Sequence, residues 1–135
     1  MNNDVITIKL PSKAEYVSIA RLAASVISNT VGFDIEEIDD IKVAVGEACN
    51  NAVLHGKSEE EVYEIAFKLS EEKIHIEVKD DGVGFDEEKY EEPDLNHLKG
   101  NGLGIYIMKS LMDEVDIVVG DNEGTTLKLI KYLEK

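Results

Sequence analysis

The sequence has few of the residues and runs that mark secreted or membrane proteins. A single cysteine, Cys49, among 135 residues excludes an intramolecular disulfide and favours a reducing compartment. We expect it to serve as a small buried hydrophobic residue. No apolar run approaches the roughly 20 residues of a membrane-spanning helix, and the first residues, MNNDVITIKL, are not typical of a signal peptide. We therefore expect a cytoplasmic protein without a membrane segment.

Basic residues are also scarce. The chain has 14 lysines and arginines against 29 acids, which gives a formal net charge of −15. This charge disfavours nonspecific binding to nucleic acid or to an anionic membrane, because both require a positive surface. Hydrophobic residues make up 43% of the chain, as in globular proteins. The length predicts a single domain over residues 1–135 that needs no metal or disulfide for its stability.

Hydrophobic periodicity predicts the order strand, two helices, two strands, helix, two strands. The strands are predicted over residues 5–10, 63–69, 74–78, 115–119 and 125–132, and the helices are predicted to end near Thr30, His55 and Glu114. Ser12 with Glu15 forms a capping-box pattern for the first helix, Gly32 is its expected stop, and Asp34 can cap the second helix. This order predicts an α+β fold with a mainly antiparallel sheet and helices on one face.

The second predicted helix carries a polar stripe. Glu47, Asn51 and His55 are spaced four residues apart and so share one side of the helix. Most of their neighbours are small or apolar, and buried polar groups need partners or a ligand. The alternative interpretation is the solvent-facing stripe of an ordinary amphipathic helix.

Three glycine-bearing motifs follow the polar stripe. The motif DDGVG over 80–84 ends a strand, where glycines allow close backbone approach to a ligand and a carboxylate can accept a hydrogen bond. The motif GNGLG over 100–104 opens a helix, where free amides and the helix dipole suit an anion. The motif GTT over 124–126 opens the last strand. Each motif taken alone is also compatible with an ordinary turn or helix entry.

Taken together, these motifs resemble a known superfamily. The order ExxxNAxxHG, DxGxG, GxG and GTT resembles the GHKL ATPases, which have the Bergerat fold. The stretch NGLGIYIMKSLMDEV followed by GTTLKL is similar to stand-alone anti-sigma factor serine/threonine kinases of the RsbW and SpoIIAB type, and the resemblance covers residues 5–133. It implies a two-layer α/β sandwich, with helices on one face of a mixed, mainly antiparallel sheet.

The resemblance also implies roles for individual residues. Glu47 falls at the position of the general base, and Asn51 at that of the residue that binds the nucleotide and Mg²⁺. Asp80 matches the residue that recognises the adenine amino group. Arg21, the only arginine, follows Ala20 at a partner-binding face of the first helix. The other nucleotide-binding positions implied are His55, Gly82, Gly84, Gly102, Leu103, Gly104, Ile105, Thr125 and Thr126.

The function implied is a kinase that binds ATP or ADP with Mg²⁺. It would hold a sigma factor of RNA polymerase inactive and phosphorylate a serine on an anti-anti-sigma partner with a STAS domain. A homodimer through the first strand and first helix is expected, without nucleic acid or membrane as a partner. Residues 86–99 correspond to a short ATP lid.

Two alternative functions stay open, and a departure from the family pattern motivates the first of them. Relatives often carry an arginine just before the second glycine motif, where this chain has Gly100 and Asn101, with Lys99 as the nearest base. The chain could therefore be an ATP-binding regulatory module without useful kinase activity. It could also be a GHKL kinase that acts in trans in another signalling pathway.

Overall fold

The computed structural model describes residues 3–55, 61–80, 101–119 and 124–134. These residues form the predicted order of elements, so the order of strands and helices is confirmed. The strands are β1 (Val5–Pro11), β2 (Val62–Leu69), β3 (Lys73–Asp80), β4 (Glu114–Val119) and β5 (Thr125–Tyr132). The helices are α1 (Val17–Val31), α2 (Ile35–His55) and α3 (Asn101–Leu111), and a 3₁₀ turn (Ala14–Tyr16) precedes α1.

The strands form one sheet in the order β1-β2-β3-β5-β4, and every neighbouring pair is antiparallel. Alternate residues of the central strands are buried, as expected for a sheet with one face against the core. The buried set is Tyr63, Ile65, Phe67 and Leu69 on β2, Ile74, Ile76 and Val78 on β3, and Leu127 and Leu129 on β5. The outward face carries charged pairs such as Lys68 with Glu77, whose Nζ and Oε2 atoms are 2.7 Å apart.

The helices cover the buried face of the sheet. The apolar positions predicted for α1 are all buried: Val17, Ala20, Ala24, Ile27 and Val31. On α2, Ile41, Val45, Ala48 and Ala52 are buried and Ile38 is partly buried. Helix α2 packs against α1 and α3 and lies across β3 and β5. Within the described residues, no helix is both long and apolar enough to cross a membrane.

The prediction that Ser12 caps the first helix is wrong. Pro11 still belongs to β1 and pairs with Val62, and the backbone N–H of Ser12 donates to the Glu61 carbonyl at 2.8 Å. Ser12 therefore extends the contact between β1 and β2 instead of opening a helix. Helix α1 begins only at Val17, after the 3₁₀ turn, and no side chain caps it.

The capping box is found at the second helix instead. The Glu37 N–H donates to Asp34 Oδ1 at 2.8 Å, and the Asp34 N–H donates to Glu37 Oε1 at 3.1 Å. These reciprocal bonds satisfy two amides that the first turn of a helix leaves free. The predicted cap at Asp34 is confirmed. So is the predicted stop at Gly32, which has a left-handed φ of 113° and donates to the Ser28 carbonyl.

Helix α3 ends at Leu111, earlier than the predicted end near Glu114. Tertiary contacts explain the difference. The Asp113 N–H donates to the Ile130 carbonyl of β5 at 2.9 Å, which turns the chain into the sheet. Lys131 Nζ donates to the Leu111 carbonyl at 2.7 Å and so satisfies one of the last carbonyls of the helix.

Candidate functional site

The polar stripe of α2 faces the beginning of α3. Gly104 lies so close that a Cβ atom there would be 3.2 Å from Glu47 Oε2 and 3.6 Å from Asn51 Oδ1. Asn51 is 9% exposed, and Gly104 is buried. Three residues that the sequence placed in two separate motifs therefore meet at one crossing of helices. A Cβ at position 104 would crowd the Glu47 carboxylate and would be in ordinary contact with the Asn51 amide.

The start of α3 supplies backbone donors at this crossing. The helix begins at Asn101, so the amides of Gly102 and Leu103 belong to its first turn and have no carbonyl four residues earlier within the helix. Gly102 and Leu103 are partly buried, and Ile105 is fully buried in the core. No acidic residue lies in this first turn. The positive end of the helix dipole and these amides suit an anion such as a phosphate group.

A second buried polar group lies at the end of the sheet. Asp80, the last residue of β3, pairs directly with Thr125, the first residue of β5. Asp80 is 8% exposed and Thr125 is 4% exposed. Both continue the alternation that faces the helices, so they lie on the same side of the sheet as α2. Thr126 pairs with Lys79 and is partly buried on the neighbouring alternation.

Several predicted site residues lie outside the described part of the chain. Gly82 and Gly84 are among them, as is the predicted lid over residues 86–99. His55 is the last residue of α2, but its side chain is not among those described.

The helix crossing holds oxygen donors of the kind that could bind a magnesium ion. Asn51 provides an amide oxygen and Glu47 a carboxylate oxygen, both within 3.6 Å of the space that a Cβ at Gly104 would fill. Hard oxygen donors are what Mg²⁺ prefers, and it is usually bound by one or two protein ligands plus phosphates and waters. Among the side chains described, no three histidines, cysteines, aspartates or glutamates cluster in a way that could hold a metal ion.

Cys49 lies in the core beside this stripe and takes no part in it. The residue is fully buried on α2. Burial raises the pKa of its thiol to about 12, so the thiol stays neutral at physiological pH. A neutral, buried thiol is a poor nucleophile, and the predicted role as a small buried hydrophobic residue is confirmed.

Arg21 lies on α1 and reaches α2 at Gly46, the residue directly before Glu47. Its side chain packs on Gly46 of α2. A Cβ at Gly46 would be 3.1 Å from Arg21 Cδ, 3.2 Å from Nη1 and 3.3 Å from Cγ. Sequence patterns assigned no role to Gly46. The signal that could have found it is a glycine in the middle of a long helix, where it costs about 1 kcal/mol relative to alanine.

Comparison with known proteins agrees with this architecture. Residues 10–131 match the family described as the histidine kinase-like ATPase domain. A serine-protein kinase RsbW from Bacillus cereus is 41% identical over 140 residues, which cover 96% of this chain and 86% of that protein. A serine-protein kinase RsbW from Bacillus thuringiensis subsp. konkukian matches with the same identity and coverage. The chain therefore belongs to the RsbW family of serine-protein kinases, within the histidine kinase-like ATPase domains.

Solved structures support the fold. The RsbU and RsbW domains of a Mycobacterium tuberculosis protein give a TM-score of 0.72 at 21% identity, with 98% of this chain and 33% of that chain covered. The histidine kinase domain of a blue-light-activated kinase from Erythrobacter litoralis gives a TM-score of 0.53 at 22% identity, with 96% and 64% covered. The predicted Bergerat-type fold and the predicted family are confirmed. The predicted class of enzyme, a protein-serine kinase, agrees with the family, whose ATPase domain is a nucleotide-binding domain.

Proposed function

We propose that this chain binds Mg-ATP and transfers the γ-phosphoryl group to a serine of an anti-anti-sigma partner with a STAS domain. In the same proposal it holds an RNA-polymerase sigma factor inactive until that partner, unphosphorylated, releases the sigma factor. The observation that carries the proposal is the convergence of Glu47 and Asn51 on Gly104 at the start of α3, in a chain of the RsbW family.

The nucleotide would bind with its base at the end of the sheet and its phosphates at α3. The Asp80 carboxylate, beside Thr125, would accept a hydrogen bond from the adenine amino group. Guanine offers a carbonyl at that position, so a buried carboxylate there would repel it. The free amides of Gly102 and Leu103, at the start of α3, would donate to the phosphates. His55, Gly82, Gly84 and Thr126 are the further nucleotide contacts in this proposal.

Glu47 is the proposed general base. Its carboxylate would accept the proton of the attacking serine hydroxyl as the serine oxygen forms a bond to the γ-phosphorus. The bond from that phosphorus to the bridging oxygen then breaks, and the products are phosphoserine and ADP. When bound, Mg²⁺ would supply positive charge next to the phosphate oxygens, with the Asn51 amide oxygen as its protein ligand. Catalysis in such a site depends on positioning and charge more than on covalent chemistry.

The partner surface in this proposal lies on α1. Ile19, Leu22 and Val26 are spaced three and four residues apart and are 46%, 66% and 60% exposed, on the side of the helix away from the core. Such an apolar stripe favours burial against another protein. We assign the outer face of α1, with β1, to the homodimer, and Arg21 to the contact with the sigma factor or its antagonist. The chain would act as a single cytoplasmic domain.

A second candidate function is a nucleotide-dependent binding module without useful kinase activity. It is favoured by Gly100 and Asn101, which stand where relatives often carry an arginine. This module would still bind Mg-ATP at the same residues and would still capture a sigma factor.

One experiment separates the two functions. The purified chain is incubated with Mg-ATP and a STAS-domain protein from the same organism, and phosphoserine on that protein is measured by mass spectrometry. Sigma-factor capture is measured in parallel before and after the incubation. The kinase proposal predicts phosphoserine that accumulates with ADP and restored capture. Capture of the sigma factor without phosphoserine would favour the binding module, and absence of both would refute both functions.

A further inference from the structure

Gly46 stands in the middle of α2, where glycine is unusual. Glycine destabilises a helix relative to alanine, because it loses more backbone freedom on folding. The residue lies in regular helix, and the described glycines with positive φ are Gly32 and Gly124, so no left-handed conformation explains it. Gly46 is nevertheless buried. The explanation is therefore its small size and not its backbone freedom.

The space above Gly46 is filled by Arg21 from α1. The Cγ, Cδ and Nη1 atoms of Arg21 all lie within 3.3 Å of the position that a Cβ at Gly46 would take. Carbon atoms in favourable contact are about 3.5–4.0 Å apart, so a methyl group here would displace the arginine. Arg21 is exposed, and the ion pairs found between described residues do not include it. The packing of its aliphatic stem on Gly46 therefore sets the position of its guanidinium.

We propose that Gly46 is a positioning residue, whose missing side chain lets the stem of Arg21 lie flat on α2 and so places the guanidinium for partner binding. Gly46 directly precedes Glu47, so the residue that Arg21 contacts and the proposed general base lie in the same turn of α2. The inference rests on the proposed function for the identity of the partner. The packing of Arg21 on Gly46 belongs to the chain alone and can be tested without a partner.

The first test uses Arg21 as its own probe. Because Arg21 is the only arginine, its Nε–Hε group gives a single side-chain signal in the NMR spectrum of the ¹⁵N-labelled chain. We expect this signal in the wild type to differ from that of free arginine and to show a positive heteronuclear NOE. Gly46→Ala should move it towards the free value and lower its NOE. A wild-type signal already at the free value, or one that Gly46→Ala leaves in place, would overturn the proposal.

A thermal-unfolding cycle checks the same contact and covers the case of a poorly folded variant. In the Arg21→Ala background the space above Gly46 is open, so Gly46→Ala should raise Tm there. In the wild-type background the gain should be smaller or become a loss, because the methyl group meets the arginine. Equal shifts in the two backgrounds would contradict the contact.

A kinetic cycle with the STAS-domain partner then tests the role. Gly46→Ala should lower kcat/KM for partner phosphorylation about tenfold, through a higher KM. It should leave Mg-ADP affinity unchanged, and it should cause no further loss when added to Arg21→Ala. An equal loss in both backgrounds would show that Gly46 acts through Glu47 and would refute a role through Arg21. If the wild type phosphorylates no partner, the proposed function fails, while the NMR signal and the Tm cycle still decide the positioning.

Discussion

Gly104 is the position where a single methyl group tests the geometry of the site. In Gly104→Ala the new Cβ would lie 3.2 Å from Glu47 Oε2, so the carboxylate would have to move by a few tenths of an ångström. Misplacement of a catalytic group by about 1 Å can cost about 100-fold in rate. We therefore expect the rate of phosphoryl transfer to fall about five- to tenfold. Mg-ADP affinity should fall less, because the proposed adenine contacts lie at Asp80 and Thr125, at the end of the sheet.

Stability separates this effect from a folding defect. Alanine favours a helix interior by about 1 kcal/mol over glycine, and the crowding against Glu47 opposes that gain. We expect Tm to change by less than about 4 °C for a chain of this size. The assays are single-turnover phosphorylation of the STAS-domain partner and calorimetry with Mg-ADP, with Ser110→Ala on the exposed side of α3 as the control. An unchanged transfer rate in folded Gly104→Ala would refute the claim that Glu47 acts from this position.

The remaining predictions concern the adenine contact of Asp80, the helix cap at Asp34 and the pKa of His75. Asp80→Asn should weaken ATP binding, measured by calorimetry, about tenfold to 100-fold, because a hydrogen bond to a charged group contributes about 1.5–3 kcal/mol. Unchanged ATP affinity would contradict the proposed adenine contact. Asp34→Ala should lower the free energy of unfolding by about 1 kcal/mol in urea titrations, whereas Glu15→Ala should have little effect, since the reciprocal bonds lie at α2. The pKa of His75 should lie below its ordinary value of 6.5, because burial disfavours the imidazolium, and Glu77→Gln should lower this pKa further, as NMR titration can show. A histidine with a lowered folded-state pKa contributes stability above its unfolded pKa, and that contribution is lost as the pH falls through 6.5 towards the folded value.

Much of the fold follows from hydrophobic periodicity. The alternation of buried and exposed residues on β2, β3 and β5 depends on which residues are apolar, and this can be read directly from the sequence. The same holds for the buried face of α1. Strand β5 was predicted with the bounds that the structure has, because the glycine turn before Thr125 marks its start. The residues of the candidate site were likewise predicted from motifs, because the polar stripe and the three glycine motifs occur in the order of a known superfamily within one short domain.

The errors arose where local patterns compete with distant partners. Ser12 with Glu15 and Asp34 with Glu37 are the same capping pattern of an oxygen-bearing residue three positions before a glutamate. Only the second caps a helix, because β1 continues through Pro11 to pair with Val62. The early end of α3 likewise depends on β5, which follows it in the chain.

The contact of Arg21 with Gly46 joins two helices and has no local signature except a glycine in a helix interior. The meeting of Glu47 with Gly104 joins residues from two motifs that lie far apart in the chain. The motifs predicted that these residues serve one site, but the distances between them depend on how α2 and α3 pack.

The most direct test of the central claim is single-turnover phosphoryl transfer by the wild type and by Glu47→Gln, measured side by side. The substitution keeps the size of the side chain and removes its ability to accept a proton. Loss of a general base typically costs about 100-fold to 10,000-fold in rate. We predict a loss in this range for phosphoserine formation, with Mg-ADP affinity nearly unchanged. Equal rates in the two proteins would contradict the assignment of Glu47 as the base at this site.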